Sequence, residues 1–227
     1  MNVQKLKRVP YFGSLALLTY MPFHIFLAQS LSLLTGGLEV WKLGKDALLF
    51  ALSLFAVCLV WWQGRATRLF NWMVGMTAVY GLLHLGLWLL HPDIYRDSAL
   101  LGVIYNNRVF CFAVLGLAAA LLKPGGVNQR FLLKLLLIVS TIVATLGVIQ
   151  YFLPADFLTH FGYSVSRGTR PSFLIDDKAG LLRIMSTLRE PNALAAYLIV
   201  PLTSLVALEL KTKDKNKRLI FLSLIHI

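Results

Sequence analysis

The sequence predicts an all-α polytopic transmembrane bundle. Of its 227 residues, 58% are hydrophobic and 14% are charged, and charged residues usually make up about a quarter of a soluble domain. The charges stand in short clusters that are separated by apolar runs of about 17–25 residues, the length that crosses a bilayer as a helix. Positive charges are concentrated on one side of these runs, as expected for a membrane protein of defined orientation.

Six apolar runs are predicted to be complete spans, and the start of a seventh follows at Leu219. Because nine residues cannot cross a bilayer, the run from Leu219 to Ile227 indicates the truncated N-terminal half of a longer protein, with a single transmembrane domain over 1–227. The six predicted spans are Tyr11 to Leu34, Ala47 to Trp62, Leu69 to Leu90, Leu100 to Leu122, Phe131 to Leu153, and Pro191 to Leu210.

The distribution of charge predicts a cytoplasmic N-terminus. With that orientation, and with Lys134 just inside the fifth span added, the inner segments hold 13 Lys and Arg residues against one acid. The outer segments hold 8 basic and 8 acidic residues. Lys and Arg collect on the cytoplasmic side of membrane proteins, so this asymmetry accounts for the net charge of +12 without a nucleic-acid partner. The bilayer itself is the expected environment.

One predicted outer loop is much longer than the others and runs over residues 154–190. Long loops are more often functional than mere connectors, and this one contains most of the unusual polar residues of the chain. The two cysteines, Cys58 and Cys111, lie inside apolar runs and suit packing. The sequence has no metal-spaced cluster, P-loop or serine-triad signature, so it predicts neither a metal nor a cofactor.

Arg108 is predicted to lie inside the fourth span, about 12 Å from its outer edge at Leu100. A charge at that depth costs about 2.5–3.5 kcal/mol, so it normally faces a partner or a watery cavity. The alternative is that the span begins near Val109 and that Arg108 reaches the outer surface.

The stretch "RIMSTLREPNALAAYLIVPL", from Arg183 to Leu202, places charge at the start of an apolar run. Thr187 and Glu190 fit a capping box, Pro191 fits the first helical turn, and Asn192 is a competing cap. The sixth span enters the membrane from outside, so its free N–H groups and positive dipole end would face outward, where they favour an anion.

Arg183 and Arg189 flank this predicted helix start, and guanidinium groups suit bidentate binding of phosphate. The sequence therefore predicts an anion site formed by Arg183, Arg189 and Asn192, with Arg108 assisting. The alternative is a capped helix with solvated flanking charges. Among the histidines, His160 in the long outer loop is the one placed for general-base work.

This stretch resembles the signature of the O-antigen ligase and O-antigen polymerase superfamily of bacterial membrane glycosyltransferases. In that family an arginine is followed by a small residue and threonine, and Pro-Asn then opens a transmembrane helix. Arg183, Ser186-Thr187, Pro191-Asn192 and Tyr197 stand at the matching places. "FLPADFLTHFGY" is similar to the family's loop entry, and many members carry glycine where this chain has Glu190.

The resemblance implies transfer or polymerisation of a glycan from an undecaprenyl-pyrophosphate donor, at the outer face of the bacterial cytoplasmic membrane. It also implies that arginines hold the diphosphate, that the acceptor is a glycan or a lipid, and that a histidine in a later outer loop is the base. That base is expected beyond Ile227, so we expect these 227 residues alone to lack transferase activity. His160 does not replace it.

Two other classes of function remain open from the sequence. A flippase or other transporter of lipid-linked glycan would carry charged residues in several spans and a site near the midplane. A non-catalytic membrane assembly protein would need neither feature.

We predict that Met1 and Lys215 lie in the cytoplasm and that Gly168 lies outside it, because the basic residues are concentrated in the inner segments. The measurement is labelling of intact cells with an impermeant thiol reagent, after Cys58 and Cys111 are replaced. Gly168→Cys should be labelled and Lys215→Cys should not. The opposite labelling pattern would overturn the orientation and the outward-facing site.

Overall fold

The structure is a computed structural model of the chain, and it describes residues 3–90, 96–123, 128–175 and 182–211. The predicted start of a seventh span at Leu219 and the labelling position Lys215 lie outside these residues. The middle of the long outer loop, residues 176–181, also lies outside them.

Six helical segments of the described residues are long and apolar enough to cross a membrane. This confirms the predicted all-α polytopic bundle, and the chain is a multi-pass membrane protein. The first segment, Val9–Thr35, consists of α2 (Val9–Tyr20), a 3₁₀ turn (Met21–Phe23) and α3 (His24–Thr35), after a short α1 (Val3–Leu6). The other five are α4 (Leu38–Trp62), α5 (Arg68–Leu90), α6 (Arg96–Leu122), α7 (Gln129–Tyr151) and α8 (Pro191–Lys211).

The predicted start of the second span is wrong by nine residues, since α4 begins at Leu38 and not at Ala47. The sequence argument placed Lys45 and Asp46 in an outer segment because they are charged. In the structure they form an ion pair, with Lys45 Nζ 2.6 Å from Asp46 Oδ2 and side-chain exposures of 6% and 2%. Their opposite charges compensate each other, so the helix continues through them. Gly36 and Gly37, both at positive φ, form the turn before it.

Close packing divides the chain into two compact units. One comprises Met1–Leu18 and Lys42–Val127, and the other comprises Thr19–Trp41 and Asn128–Ile227. The prediction of a single transmembrane domain remains a prediction.

The first unit has an apolar core formed mainly by α4 and α6. Leu49, Val60, Leu115 and Leu122 are fully or almost fully buried there. A hydrogen bond crosses this core: Ser53 Oγ donates to the carbonyl of Cys111 at 3.1 Å. In a bilayer the lipid tails are as apolar as these side chains, so van der Waals packing and not removal from water holds such helices together.

The second unit contains α3, α7, α8 and the long loop between α7 and α8. The hydroxyl groups of Ser140 in α7 and Tyr197 in α8 lie 3.1 Å apart. Residues Phe157–Phe161 and Val165–Arg167 of the loop form 3₁₀ helices. Strands β1 (Phe173–Leu174) and β2 (Leu182–Arg183) pair antiparallel, with Phe173 opposite Arg183. The described parts of the long connection therefore have a definite local structure.

Removal of one charge of the pair in α4 should destabilise the protein. Asp46→Ala leaves the Lys45 ammonium buried without its counterion, which typically costs about 3–5 kcal/mol. Thermal unfolding of the purified protein in detergent measures the loss. The control is the double variant Lys45→Met with Asp46→Leu, which removes both charges and should melt closer to the wild type. Wild-type melting of Asp46→Ala alone would contradict a buried ionised pair.

Candidate functional site

The candidate site is built on the segment from Arg183 to Glu190, which joins β2 to α8. This segment lies against α7 at Gly147, a buried residue. A Cβ atom at Gly147 would lie 3.1 Å from Ile184 Cγ2 and 3.5 Å from Ser186 Cβ. The absence of a side chain at Gly147 therefore permits the close approach of the segment to the helix.

Ser186 has a φ of 53° and is the one described non-glycine residue at positive φ. That conformation costs roughly 1–3 kcal/mol and persists where the surroundings hold it. Here Gln150 Oε1 of α7 accepts from the N–H of Met185 at 3.2 Å and from the N–H of Ser186 at 2.7 Å. The Ser186 hydroxyl donates to the carbonyl of Val143 at 2.6 Å. Three hydrogen bonds thus hold the turn.

The predicted capping box at Thr187 and Glu190 is wrong, since α8 begins at Pro191 and Thr187 lies outside it. Thr187 is buried, and its hydroxyl donates to the carbonyl of Pro22 at 2.8 Å. The physical reason is the carbonyl of Pro22, in the 3₁₀ turn between α2 and α3, which takes the hydroxyl hydrogen in a buried contact. Thr187 therefore anchors the segment to the first transmembrane segment and does not cap α8.

The predicted start of α8 at Pro191 is confirmed. The carbonyl of Glu190 accepts from the N–H of Leu194 at 3.2 Å, so Glu190 occupies the cap position. Asn192, the competing cap predicted from the sequence, lies inside the helix as its second residue. The first N–H groups of a helix have no carbonyl partner within it, so this end of α8 carries partial positive charge.

Arg183 and Asn192, two of the four predicted site residues, are in direct contact. Arg183 Nη2 donates to Asn192 Oδ1 at 2.7 Å, and both residues are exposed. Arg183 also lines a small cleft of about 20 Å³ beside Gln150, Tyr151 and Ser172. A guanidinium group has five N–H donors, and one of them is used by Asn192. The bond fixes the guanidinium and leaves donors for a ligand.

Arg189 lines a different depression, with a volume of about 300 Å³. Its Nη2 lies 3.4 Å from the carbonyl oxygen of Gly168, and the residue is exposed. Arg170 and Glu190 line the same depression, so positive and negative side chains meet there. Binding of one ligand by both Arg183 and Arg189 remains a prediction.

The loop is tied to α3 by a polar network that the sequence argument missed. Arg167 Nε donates to Gln29 Oε1 at 3.0 Å, and Arg167 Nη2 donates to the hydroxyl of Ser32. Gln29 Nε2 donates in turn to Thr169 Oγ1 at 2.7 Å. Gln29 is fully buried, and its amide within an apolar run was the available signal. Arg167 is therefore a structural residue that ties the loop to α3.

An apolar cluster lies under the loop and includes Leu158, Tyr163 and Met185, all buried. Gly162 precedes Tyr163 at a φ of 83°, and a Cβ atom there would lie 3.0 Å from the carbonyl oxygen of Gln29. Burial raises the pKa of the Tyr163 hydroxyl well above its usual range. That hydroxyl therefore stays neutral at physiological pH and is not a candidate base.

His160 is exposed, and its Nδ1 lies 3.1 Å from the carbonyl oxygen of Phe157 within the same turn. It is not among the residues that line the cleft at Arg183. No group of three metal-ligating side chains occurs in the described part of the chain. The described residues thus place exposed arginines near the start of α8 without an evident base beside them.

Arg108 belongs to the other compact unit. It lies about 10 Å beyond Leu101, where the apolar part of α6 begins. Its guanidinium carbon is 5.4 Å from the ring centroid of Tyr105, a cation–π distance. Like Lys45 and Asp46, Arg108 is a charged residue within a candidate membrane helix of the first unit.

Comparison with known proteins gives no relative of this chain. No protein family model, no curated protein and no solved structure matches it significantly. The function of the chain is therefore inferred from the local geometry and the sequence pattern.

The turn at Ser186 should depend on the acceptor oxygen of Gln150. In Gln150→Leu the N–H groups of Met185 and Ser186 lose their acceptor, and each unsatisfied buried donor costs about 1–3 kcal/mol. We expect a lower thermal midpoint and faster proteolysis between Arg183 and Glu190. The matched control is Gln150→Glu, which retains an acceptor oxygen at the same place. Equal behaviour of the two variants would show that the turn does not rest on this oxygen.

Proposed function

We propose that the chain belongs to a membrane glycosyltransferase of the O-antigen ligase or polymerase type. It would bind a glycan carried on undecaprenyl pyrophosphate, at the outer face of the bacterial cytoplasmic membrane. The observation that supports this best is the segment from Arg183 to Glu190, whose buried hydrogen bonds fix the backbone while its arginines remain exposed. This is the same stretch on which the sequence resemblance rests.

Arg183 is the proposed diphosphate ligand. Its guanidinium is oriented by Asn192 at 2.7 Å, and its planar fork matches two phosphate oxygens. When the glycan is transferred, negative charge accumulates on the departing diphosphate. Donors that are already in place stabilise such charge without reorganisation.

The turn at Ser186 supports this role because it limits the motion of Arg183. A backbone held at positive φ by Gln150 and Val143 has few alternative conformations. Strained backbone of this kind often occurs at binding sites. The start of α8 at Pro191 adds partial positive charge in the same segment.

Arg189 and Arg108 have assisting roles in the proposal. Arg189 shares its depression with Glu190, whose carboxylate reduces the attraction for a diphosphate. Arg108 lies in α6 of the other compact unit, and its assisting role rests on the sequence pattern alone. No catalytic base is assigned to the described residues.

A transporter of lipid-linked glycan is the second candidate, because of the charges inside the spans of the first unit. Lys45 and Asp46 in α4 and Arg108 in α6 place charged residues in two predicted membrane helices, a pattern typical of transport pathways. An assay that follows a lipid-linked sugar between leaflets of a proteoliposome separates transport from binding at one face.

Replacement of Arg183 should weaken binding of undecaprenyl pyrophosphate. Each charged hydrogen bond contributes about 1.5–3 kcal/mol, so Arg183→Ala should raise the Kd about tenfold or more. Arg183→Lys keeps the charge and loses the fork, so we expect an intermediate Kd. Asn192→Asp adds a competing carboxylate beside the guanidinium and should also weaken binding. The measurement is titration of the protein in nanodiscs of zwitterionic lipid.

The matched control is Arg8→Ala, which removes one charge from an exposed residue of the N-terminal segment and should leave the Kd unchanged. Arg167→Ala is unsuitable because Arg167 binds Gln29 and Ser32. Each variant is first checked by thermal unfolding. A folded Arg183→Ala protein that binds as tightly as the wild type would reject the anion site.

A further inference from the structure

A long apolar groove lies along α5 in the first unit, where α5 meets α6. Its volume is about 850 Å³, and its apolar part is lined by Met76, Val79, Leu83 and Phe110. A second depression of about 320 Å³ shares Val79 and Leu83 and continues to Leu90. From Arg68 to Leu83 the groove follows α5 for about 22 Å at 1.5 Å per residue, a large part of the roughly 30 Å of bilayer hydrocarbon.

The groove is chemically asymmetric along its length. Arg68 and Asn71 line one end, and no carboxylate is present among the residues that line it. Asn71 Oδ1 accepts from Trp61 Nε1 at 3.0 Å. Arg68 is exposed and has no hydrogen bond or ion pair to other described residues. The apolar groove therefore ends at Arg68, whose charge is not compensated in the described part of the chain.

Three exposed tryptophans mark the membrane level of this end. Trp61 and Trp62 are the last residues of α4, and Trp72 lies in the second turn of α5 and lines the groove. Tryptophan is enriched at the boundary between hydrocarbon and headgroups. Arg68 begins α5 one turn before Trp72, so its guanidinium lies at headgroup level. The charge distribution predicts that this end faces the cytoplasm.

We propose that this groove binds one anionic phospholipid of the cytoplasmic leaflet. The phosphate lies at Arg68, and an acyl chain lies along Met76, Val79 and Leu83. The argument is charge complementarity: an apolar helix from another protein would leave Arg68 unpaired, whereas an anionic headgroup neutralises it. Basic pockets on the cytoplasmic side of membrane helices bind anionic headgroups for the same reason. This site is independent of the proposed diphosphate site.

Gly75 provides a way to fill the groove without disturbing the fold. It lines the groove, and a Cβ atom there would meet no atom within 4 Å. A leucine at this position can therefore occupy the groove itself. Gly116 in α6 is a matched control, because a Cβ atom there also meets nothing within 4 Å and the residue lies outside the groove.

The experiment is native mass spectrometry of the delipidated protein with added phosphatidylglycerol or phosphatidylcholine of identical acyl chains. We expect one phosphatidylglycerol to bind, with a preference of about fivefold over phosphatidylcholine, the factor that one basic residue near an anionic headgroup supplies. Arg68→Gln should abolish the preference, and Gly75→Leu should weaken binding of both lipids. Arg8→Gln and Gly116→Leu should behave as the wild type.

Equal binding of the two lipids, or an unchanged preference in Arg68→Gln, would overturn the proposal. A dimer in the same spectra that dissociates in Gly75→Leu would also overturn it, because the groove would then be an interface between copies of the chain. Lipid binding is compared only among variants whose thermal unfolding midpoint equals that of the wild type, so that a loss of binding does not reflect a loss of folding.

Discussion

The side-chain oxygen of Gln150 accepts hydrogen bonds from two backbone N–H groups. The geometry of the candidate site depends on these two hydrogen bonds. A chain that leaves one membrane helix and enters the next must satisfy its polar backbone groups without the regular ladder of a helix. Near Met185 and Ser186 the backbone is buried, so each unpaired N–H would cost about 1–3 kcal/mol. Gln150 removes that cost, and Ser186 can then adopt a φ of 53°.

The same constraint explains why several polar side chains of the second unit point inward. Thr187 bonds the carbonyl of Pro22, and Gln29 bonds both Arg167 and Thr169. Each bond pairs a side chain with a partner far away in sequence, so each fixes the loop against a transmembrane helix. The exposed arginines Arg183 and Arg189 are thereby held on a backbone that has little freedom to move. A rigid cation loses less conformational entropy when it binds a ligand than a mobile one.

Most of the fold could be predicted from the sequence, because apolar runs of bilayer length are a direct signal. Four of the six observed membrane segments begin within one residue of the predicted start, and the first begins two residues early. The start of α4 could not be predicted, because two opposite charges that neutralise each other resemble a loop in the sequence. Their pairing becomes visible when the 2.6 Å contact between Lys45 and Asp46 is known.

The site could be predicted less fully than the fold. The stretch from Arg183 to Asn192 identified the exposed cations and the start of α8 at Pro191, since proline and charge are local signals. The partners of Thr187 and Arg167 were not predictable, because both lie more than 130 residues away in sequence. The capping box failed for this reason: a local pattern competed with a distant carbonyl, and the buried distant contact prevailed.

The two exposed arginines of the segment, Arg183 and Arg189, differ in the ligand groups that their surroundings favour. Among the described residues, Arg183 contacts a neutral amide, Asn192, and lines a cleft of about 20 Å³ that no described carboxylate lines. Arg189 lines a depression of about 300 Å³ together with Arg170 and Glu190. A site with both donors and acceptors attracts a diphosphate weakly, but it can pair with hydroxyl groups, which donate and accept. If the proposed substrate binds here, its charge would be matched at Arg183, and its sugar hydroxyls would be matched in the depression at Arg189.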